Sequence, residues 1–185
     1  MSIDTTTSIA PELVAGTWTI DPSHSEVGFV ARHLMTKVRG VFESFEGTIV
    51  TGENPSATAK IDPNSINTRN ADRDAHLRSA DFFDVENSGA ITFASTGVEA
   101  GGKGLLLTGE LTIKGTTRPV TLDVEVLGVG TDPWGGTRVG FEGSVTVNRK
   151  DWGIDWNVPL DGGRFLVGEK VELVVAVQAV LQQGE

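Results

Sequence analysis

The 185-residue chain is expected to fold as one all-β domain, an antiparallel sheet with a single short helix. Three observations carry this. Apolar residues alternate with polar ones along segment after segment. Turn-forming clusters of Gly, Pro and Asn separate those segments at short spacing. One stretch alone has the composition and caps of a helix.

In chain order, residues 1–15 are Thr- and Ser-rich and aperiodic, and read as a flexible N-terminal tail before a domain over 16–185. The first strand begins near Thr17, and further strands read at 25–33, 38–50, 57–62 and 90–96. In 105–114, Leu105, Leu107, Leu111 and Ile113 oppose Thr108, Glu110, Thr112 and Lys114. In 119–127, Val120, Leu122, Val124 and Val126 oppose Thr121, Asp123 and Glu125. Phe141, Val145 and Val147 oppose Glu142, Ser144 and Thr146 in 138–148. The last strand sets Val171, Leu173, Val175 and Val177 against Lys170, Glu172 and Gln178. Such one-faced strands are the antiparallel pattern. Turns fall at 52–56, 99–104, 114–119 and 130–136.

The exception is 68–84, with Asn70 as N-cap, Asp72 and Asp74 in the first turn, and a helix over about 70–79. So short a helix cannot cover a sheet of roughly eight strands. The apolar faces must cover one another, in a barrel or a sandwich.

Small residues interrupt the inward parity: Gly109, Gly143, Ala57, Ala59 and Ala31. They either leave room for a ligand or mark bulges and bends. If room exists, its wall is aliphatic and phenylalanine. The expected contacts are Phe29, Ala31, His33, Phe42, Phe93, Leu107, Leu111, Leu122, Val124, Phe141, Val145, Leu173 and Val175. Sugar hydroxyls would go unpaired against such a wall, whereas a hydrocarbon gains about 0.8 kcal/mol per buried CH₂.

The net charge of −10 disfavours nucleic acid and anionic surfaces, so membrane contact is expected to be transient at most. The absence of cysteine excludes disulfides and thiolate chemistry. No run approaches the ~18 apolar residues of a membrane-spanning helix. The opening MSIDTTTSIAPELVAG lacks the basic and apolar regions of a secretory signal, so a cytoplasmic location is expected. The histidines, His24, His33 and His76, match no metal-ligand spacing, and no metal or cofactor is expected. No serine sits in a nucleophile-elbow context. Asp81, Asp84 and Glu86 are neighbours, but the Phe82–Phe83 pair between them reads as an anchor closing the barrel end, as do Trp152 and Trp156.

Several segments together resemble the YceI-like family of polyisoprenoid-binding proteins. They are WTIDPSHSEVGFVARH (18–33), GVFESFEGTI (40–49), SINTRNADRDAHLRSADFFD (65–84) with ITF (91–93), GELTIKGTTRPVTLDV (109–124) and NRKDWGI (148–154). The resemblance implies an extended lipocalin-like barrel of eight antiparallel strands. It implies a lumen that takes an isoprenoid tail, as of a polyprenyl phosphate or an isoprenoid quinone, with the head group near the mouth. Arg32, Arg73 and His76 are the head-group candidates. The alternative is an enzyme that modifies a lipid or glycan through His33, His76 and nearby Asp at the mouth. A homodimer is compatible with the sequence but unsupported by it.

Overall fold

The computed structural model describes residues 13–183. Its strands are β1 (Gly16–Ile20), β2 (Glu26–His33), β3 (Thr36–Phe42), β4 (Phe45–Thr51), β5 (Ser56–Ile61) and β6 (Ile66–Asn67). They continue with β7 (Ile91–Gly101), β8 (Gly104–Ile113), β9 (Thr116–Thr131), β10 (Thr137–Asn148) and β11 (Lys170–Leu181). The helix α1 spans Ala71–Arg78, and the Asn70 side chain caps it by accepting from Arg73 N at 3.0 Å.

Eight strands close into a ring in the order β1-β4-β5-β7-β8-β9-β10-β11, with β11 pairing back to β1. Every pairing is antiparallel, and because the β1–β11 pairing closes the ring, the barrel alternative holds and the sandwich does not. The strand β11 is long enough to serve two partners along one edge. Its Ala179–Leu181 end pairs β1, and its Glu172–Ala176 end pairs β2. Between β1 and β2 the chain kinks through a 3-10 turn, Pro22–His24, capped by Asp21. From there β2, β3 and β6 carry the wall of the barrel beyond the ring.

Strand boundaries differ from the sequence reading in three places. The expected strand 38–50 is two strands, broken at Glu43–Ser44; Glu43 N bonds Ser65 O, and Ser44 N bonds the Ser65 hydroxyl. The 114–119 turn shrinks to Lys114–Gly115, both at positive φ, and Pro119 lies inside β9 opposite Glu110. Proline is tolerated there because the β9–β10 ladder has already ended at Asp123–Ser144. The strand read at 90–96 runs on to Gly101 after a register shift between Ser95 and Gly97.

Of the segment read as a tail, residues 1–12 lie outside the described residues. Leu13, the first described, is only 1% exposed. It joins Trp18, Leu105, Val124, Val139, Phe141 and Ala179 in one apolar cluster that seals the β1 end of the barrel. The Trp18 indole donates to Thr51 Oγ1 at 2.9 Å, and that hydroxyl donates to Val14 O at 2.6 Å. A second cluster lies at the α1 end. Phe42, Ile61, Ile66, Phe82, Ile91, Leu111, Trp152 and Ile154 pack there.

Candidate functional site: an apolar lumen and its rim

Between the two clusters lies a cavity of about 780 Å³, within the usual range of small-molecule pockets. Every residue expected on the lumen wall lines it, from Phe29 and Ala31 on β2 to Leu173 and Val175 on β11. Leu13, Pro55, Ser56 and Ala57 line it where the β5–β7 ladder has ended at Thr58–Ala94.

Two of the inward glycines do neither of the things expected of the small residues, leaving room or marking a bend. A Cβ built on Gly109 would fall 2.4 Å from Phe93 Cζ, and one on Gly40 would fall 2.4 Å from Phe29 Cζ. The glycines are therefore seats for phenyl rings from the neighbouring strand. At Gly143 the space is shared by Val124 and Val175, each 3.2 Å from the built Cβ. A ring seated over glycine lies along the wall, and that is how bulky residues coexist with an open lumen.

Of the solvent-exposed residues that line the cavity, Thr58 lies on β5, and Arg32, His33, Asn70 and Asp72 lie at the α1 end. The rim there is formed by α1, the end of β2 and the segment 154–168. His33 bridges to Val167, and Leu34 N bonds Leu166 O at 2.9 Å. The three head-group candidates, Arg32, Arg73 and His76, all line the cavity at this end. Arg73 is tied down, its Nε donating to Thr68 Oγ1 at 2.8 Å and its Nη2 to Thr68 O at 2.6 Å. Buried Asp74 accepts from the same Thr68 through its backbone N and hydroxyl. His76 Nε2 lies 2.9 Å from Asp81 Oδ2, and its ring packs edge-on against Phe82 and Trp156. Among the described residues the Arg32 side chain has no ion-pair partner, which leaves its guanidinium open to a ligand or a surface.

The sequence reading missed Arg149. It is 6% exposed and lines the cavity. Its Nε donates to Gly168 O at 2.9 Å, and its Nη1 to Ile154 O at 2.8 Å and Trp156 O at 2.9 Å. Burial pushes its pKa below the usual guanidinium range, while Glu169 and Asp155 oppose that shift. One cation thus fastens both ends of the rim segment through main-chain carbonyls. The available signal was parity, since Arg149 continues the inward series Val145 and Val147. Trp152, beside it, is buried and donates its indole N–H to Leu111 O at 2.9 Å.

The other polar cluster lies near the sealed end. Arg138 donates to Asp21 Oδ2 and Asp132 Oδ2, each at 2.8 Å. Hydrogen bonds from the Ser23 hydroxyl, Arg138 and His24 hold the Asp21 carboxyl well below the ordinary carboxylate range. Asp132 is lowered by Arg138 and by the Gly136 backbone N–H. Ser23, His24 and Asp21 hold the side-chain types of a nucleophilic triad, but not its geometry. The Ser23 hydroxyl (3.1 Å) and the Asp21 carboxylate (2.9 Å) both contact His24 Nδ1, so the ring cannot relay a proton between them. No group of three His, Cys, Asp or Glu side chains able to hold a metal ion occurs among the described residues.

A closed eight-stranded antiparallel barrel with an apolar interior and one rim helix defines a lipocalin-like barrel protein. The YceI-like domain family matches residues 18–179, and the chain belongs to that family. It is 41% identical over 180 residues to a UPF0312 protein of Pseudomonas paraeruginosa, covering 94% of this chain and 91% of that one. It is 41% identical over 177 residues to the protein YceI of Salmonella arizonae, covering 92% and 90%. Among solved structures, Burkholderia cenocepacia BcnA superposes with a TM-score of 0.73 at 24% identity, over 86% of this chain and 98% of that one. A polyisoprenoid binding domain from Saccharophagus degradans superposes with a TM-score of 0.67 at 16% identity, over 91% and 100%. At these identities the structural likeness speaks for the fold alone.

Proposed function

We propose that the protein binds and carries or stores a long-chain isoprenoid lipid in the barrel lumen and performs no chemistry on it. The observation that carries this reading is the cavity of about 780 Å³ with aliphatic and phenyl walls. Apolar area is the one thing such a wall offers a ligand. Each buried methylene contributes about 0.8 kcal/mol, and each sugar or nucleotide hydroxyl left unpaired costs ~1–3 kcal/mol. The solved polyisoprenoid binding domain with the same fold supports the same choice of cargo. An isoprenoid quinone or a polyprenyl phosphate fits this reading, its tail in the lumen and its head beside Arg32, Arg73 and His76.

An enzyme at the mouth is favoured by no specific observation. His33 is exposed, and His76 is engaged by Asp81 and stacked on aromatic rings. The test is titration of the stripped protein with a polyprenol, a polyprenyl phosphate and an isoprenoid quinone, with Leu122→Asp as the control. Saturable one-to-one binding, lost in the folded control, is the expected result. Absence of binding for all three overturns the reading.

A further inference from the structure

The rim carries a surface that the sealed end lacks. The β2–β3 tip presents Leu34 at 55% and Met35 at 82% exposure, and the adjoining loop presents Val158 and Phe165. These four form one patch, not scattered residues. Leu34 N bonds Leu166 O, Leu166 N bonds Val158 O, and Pro159 bridges to Phe165. The tip and the loop are thus laced edge to edge through their main chains. Exposed apolar patches of this kind, rimmed by charge, mark interaction surfaces.

The β2–β3 hairpin beside the patch is cationic, although Asp72 on α1 shares the rim. The chain carries −10 overall. On β2 and β3, Arg32 stands opposite Lys37 and Val30 opposite Arg39, which puts the three cations on the outer face of the hairpin. Arg164 joins them from the loop, and Asp155 and Asp161 are the carboxylates of the 154–168 segment. None of these six side chains is engaged in an ion pair among the described residues. Val14, Leu127 and Trp134 are exposed towards the other end, so apolar exposure alone does not set the rim apart; the difference is that the arginine there, Arg138, is held by Asp21 and Asp132.

We propose that the Leu34–Met35 tip and the 158–165 loop dock the barrel, mouth down, on an anionic lipid bilayer. The apolar side chains enter the head-group layer while Arg32, Lys37, Arg39 and Arg164 meet its negative charge. The acidic remainder of the barrel is repelled, which fixes the orientation. The patch adjoins the cavity, because His33 and Leu166, which line the cavity, are the chain neighbours of Leu34 and Phe165. Docking would therefore place the lumen opening against the bilayer, where an apolar cargo resides. The role in cargo exchange rests on the lipid-carrier reading; the docking itself does not.

The experiment is flotation of the full chain with phosphatidylcholine vesicles, with and without phosphatidylglycerol, at low and high salt. Flotation with the anionic vesicles that weakens as salt rises is expected. Loss of cation contacts should be felt at each site, so Lys37→Glu/Arg39→Glu, which leaves the cavity lining untouched, should reduce the bound fraction about tenfold or more. Met35→Asp/Phe165→Ser should reduce it similarly, and Trp134→Ser should leave it unchanged. No flotation on anionic vesicles at low salt, or equal loss with Trp134→Ser, overturns the proposal. Titration of detergent-dispersed polyprenol is the separate arm. Variants that no longer float but still load the lumen support docking at the rim, whereas vesicle binding by a chain that never loads a lipid contradicts the carrier reading alone.

Discussion

Gly40→Ala puts the glycine-seat mechanism to a direct test. Its Cβ would fall 2.4 Å from Phe29 Cζ, 2.6 Å from Cε1 and 3.0 Å from Thr68 Cγ2. Ordinary contact begins at 3.4 Å, so the ring must retreat by about 1 Å. Gly40 has no positive φ, so the backbone accepts alanine and the effect is confined to packing. The free direction for the ring is the lumen, which Phe29 already lines. Overpacking of this kind costs about 1–3 kcal/mol. A ring that displaces two methylenes of cargo removes about 1.6 kcal/mol of burial, a roughly fifteenfold loss of affinity. The assay is a double-mutant cycle over Gly40→Ala and Phe29→Leu, read by thermal denaturation and by polyprenol titration. Without the ring the alanine keeps only its 3.0 Å approach to Thr68 Cγ2, so its penalty should shrink in the Phe29→Leu background. An equal penalty in both backgrounds, or wild-type affinity in Gly40→Ala, refutes the reasoning.

Other consequences can be checked alongside it. Arg149→Met leaves the carbonyls of Ile154, Trp156 and Gly168 without their donor, at about 1–3 kcal/mol for each that stays dry, and limited proteolysis should then cut within 153–168. Thr51→Val keeps the side-chain shape but strands the Trp18 indole, which should lower stability by about 1–3 kcal/mol in calorimetry. Asp21 has a lowered pKa in the fold, so its ionised form is the one the fold stabilises. Its contribution should be whole above the unfolded value of about 3.9 and fade as pH falls below it. The Tm gap between wild type and Asp21→Asn, which keeps the cap, should therefore narrow on acidification; a gap that widens would count against the assignment.

How far the sequence speaks depends on the kind of interaction. Alternation along 105–114, 138–148 and 170–179 is local, so strand faces and lumen residues such as Leu107, Val145 and Leu173 could be read directly. The helix announced itself through Asn70 and the acidic first turn, because capping is local too. Closure was implied by the family resemblance but could not be read from alternation, since it depends on β11 serving both β1 and β2 across more than a hundred residues. Leu13 escaped notice because its burial comes from distant strands and no alternation runs through the residues around it. Arg149 was passed over because its partners are main-chain carbonyls, which leave no mark in a sequence. Gly109 was legible as inward and small while Gly40 was passed over, and the rings over both come from other strands.

The claim on which the rest depends is that the lumen is a place for cargo and not a flaw in packing. Native mass spectrometry of freshly purified protein, followed by organic extraction, addresses it directly. A one-to-one adduct that extracts as a long isoprenoid molecule is expected. Repeated recovery of the bare polypeptide mass, with no adduct after incubation with polyprenols or quinones, would contradict it.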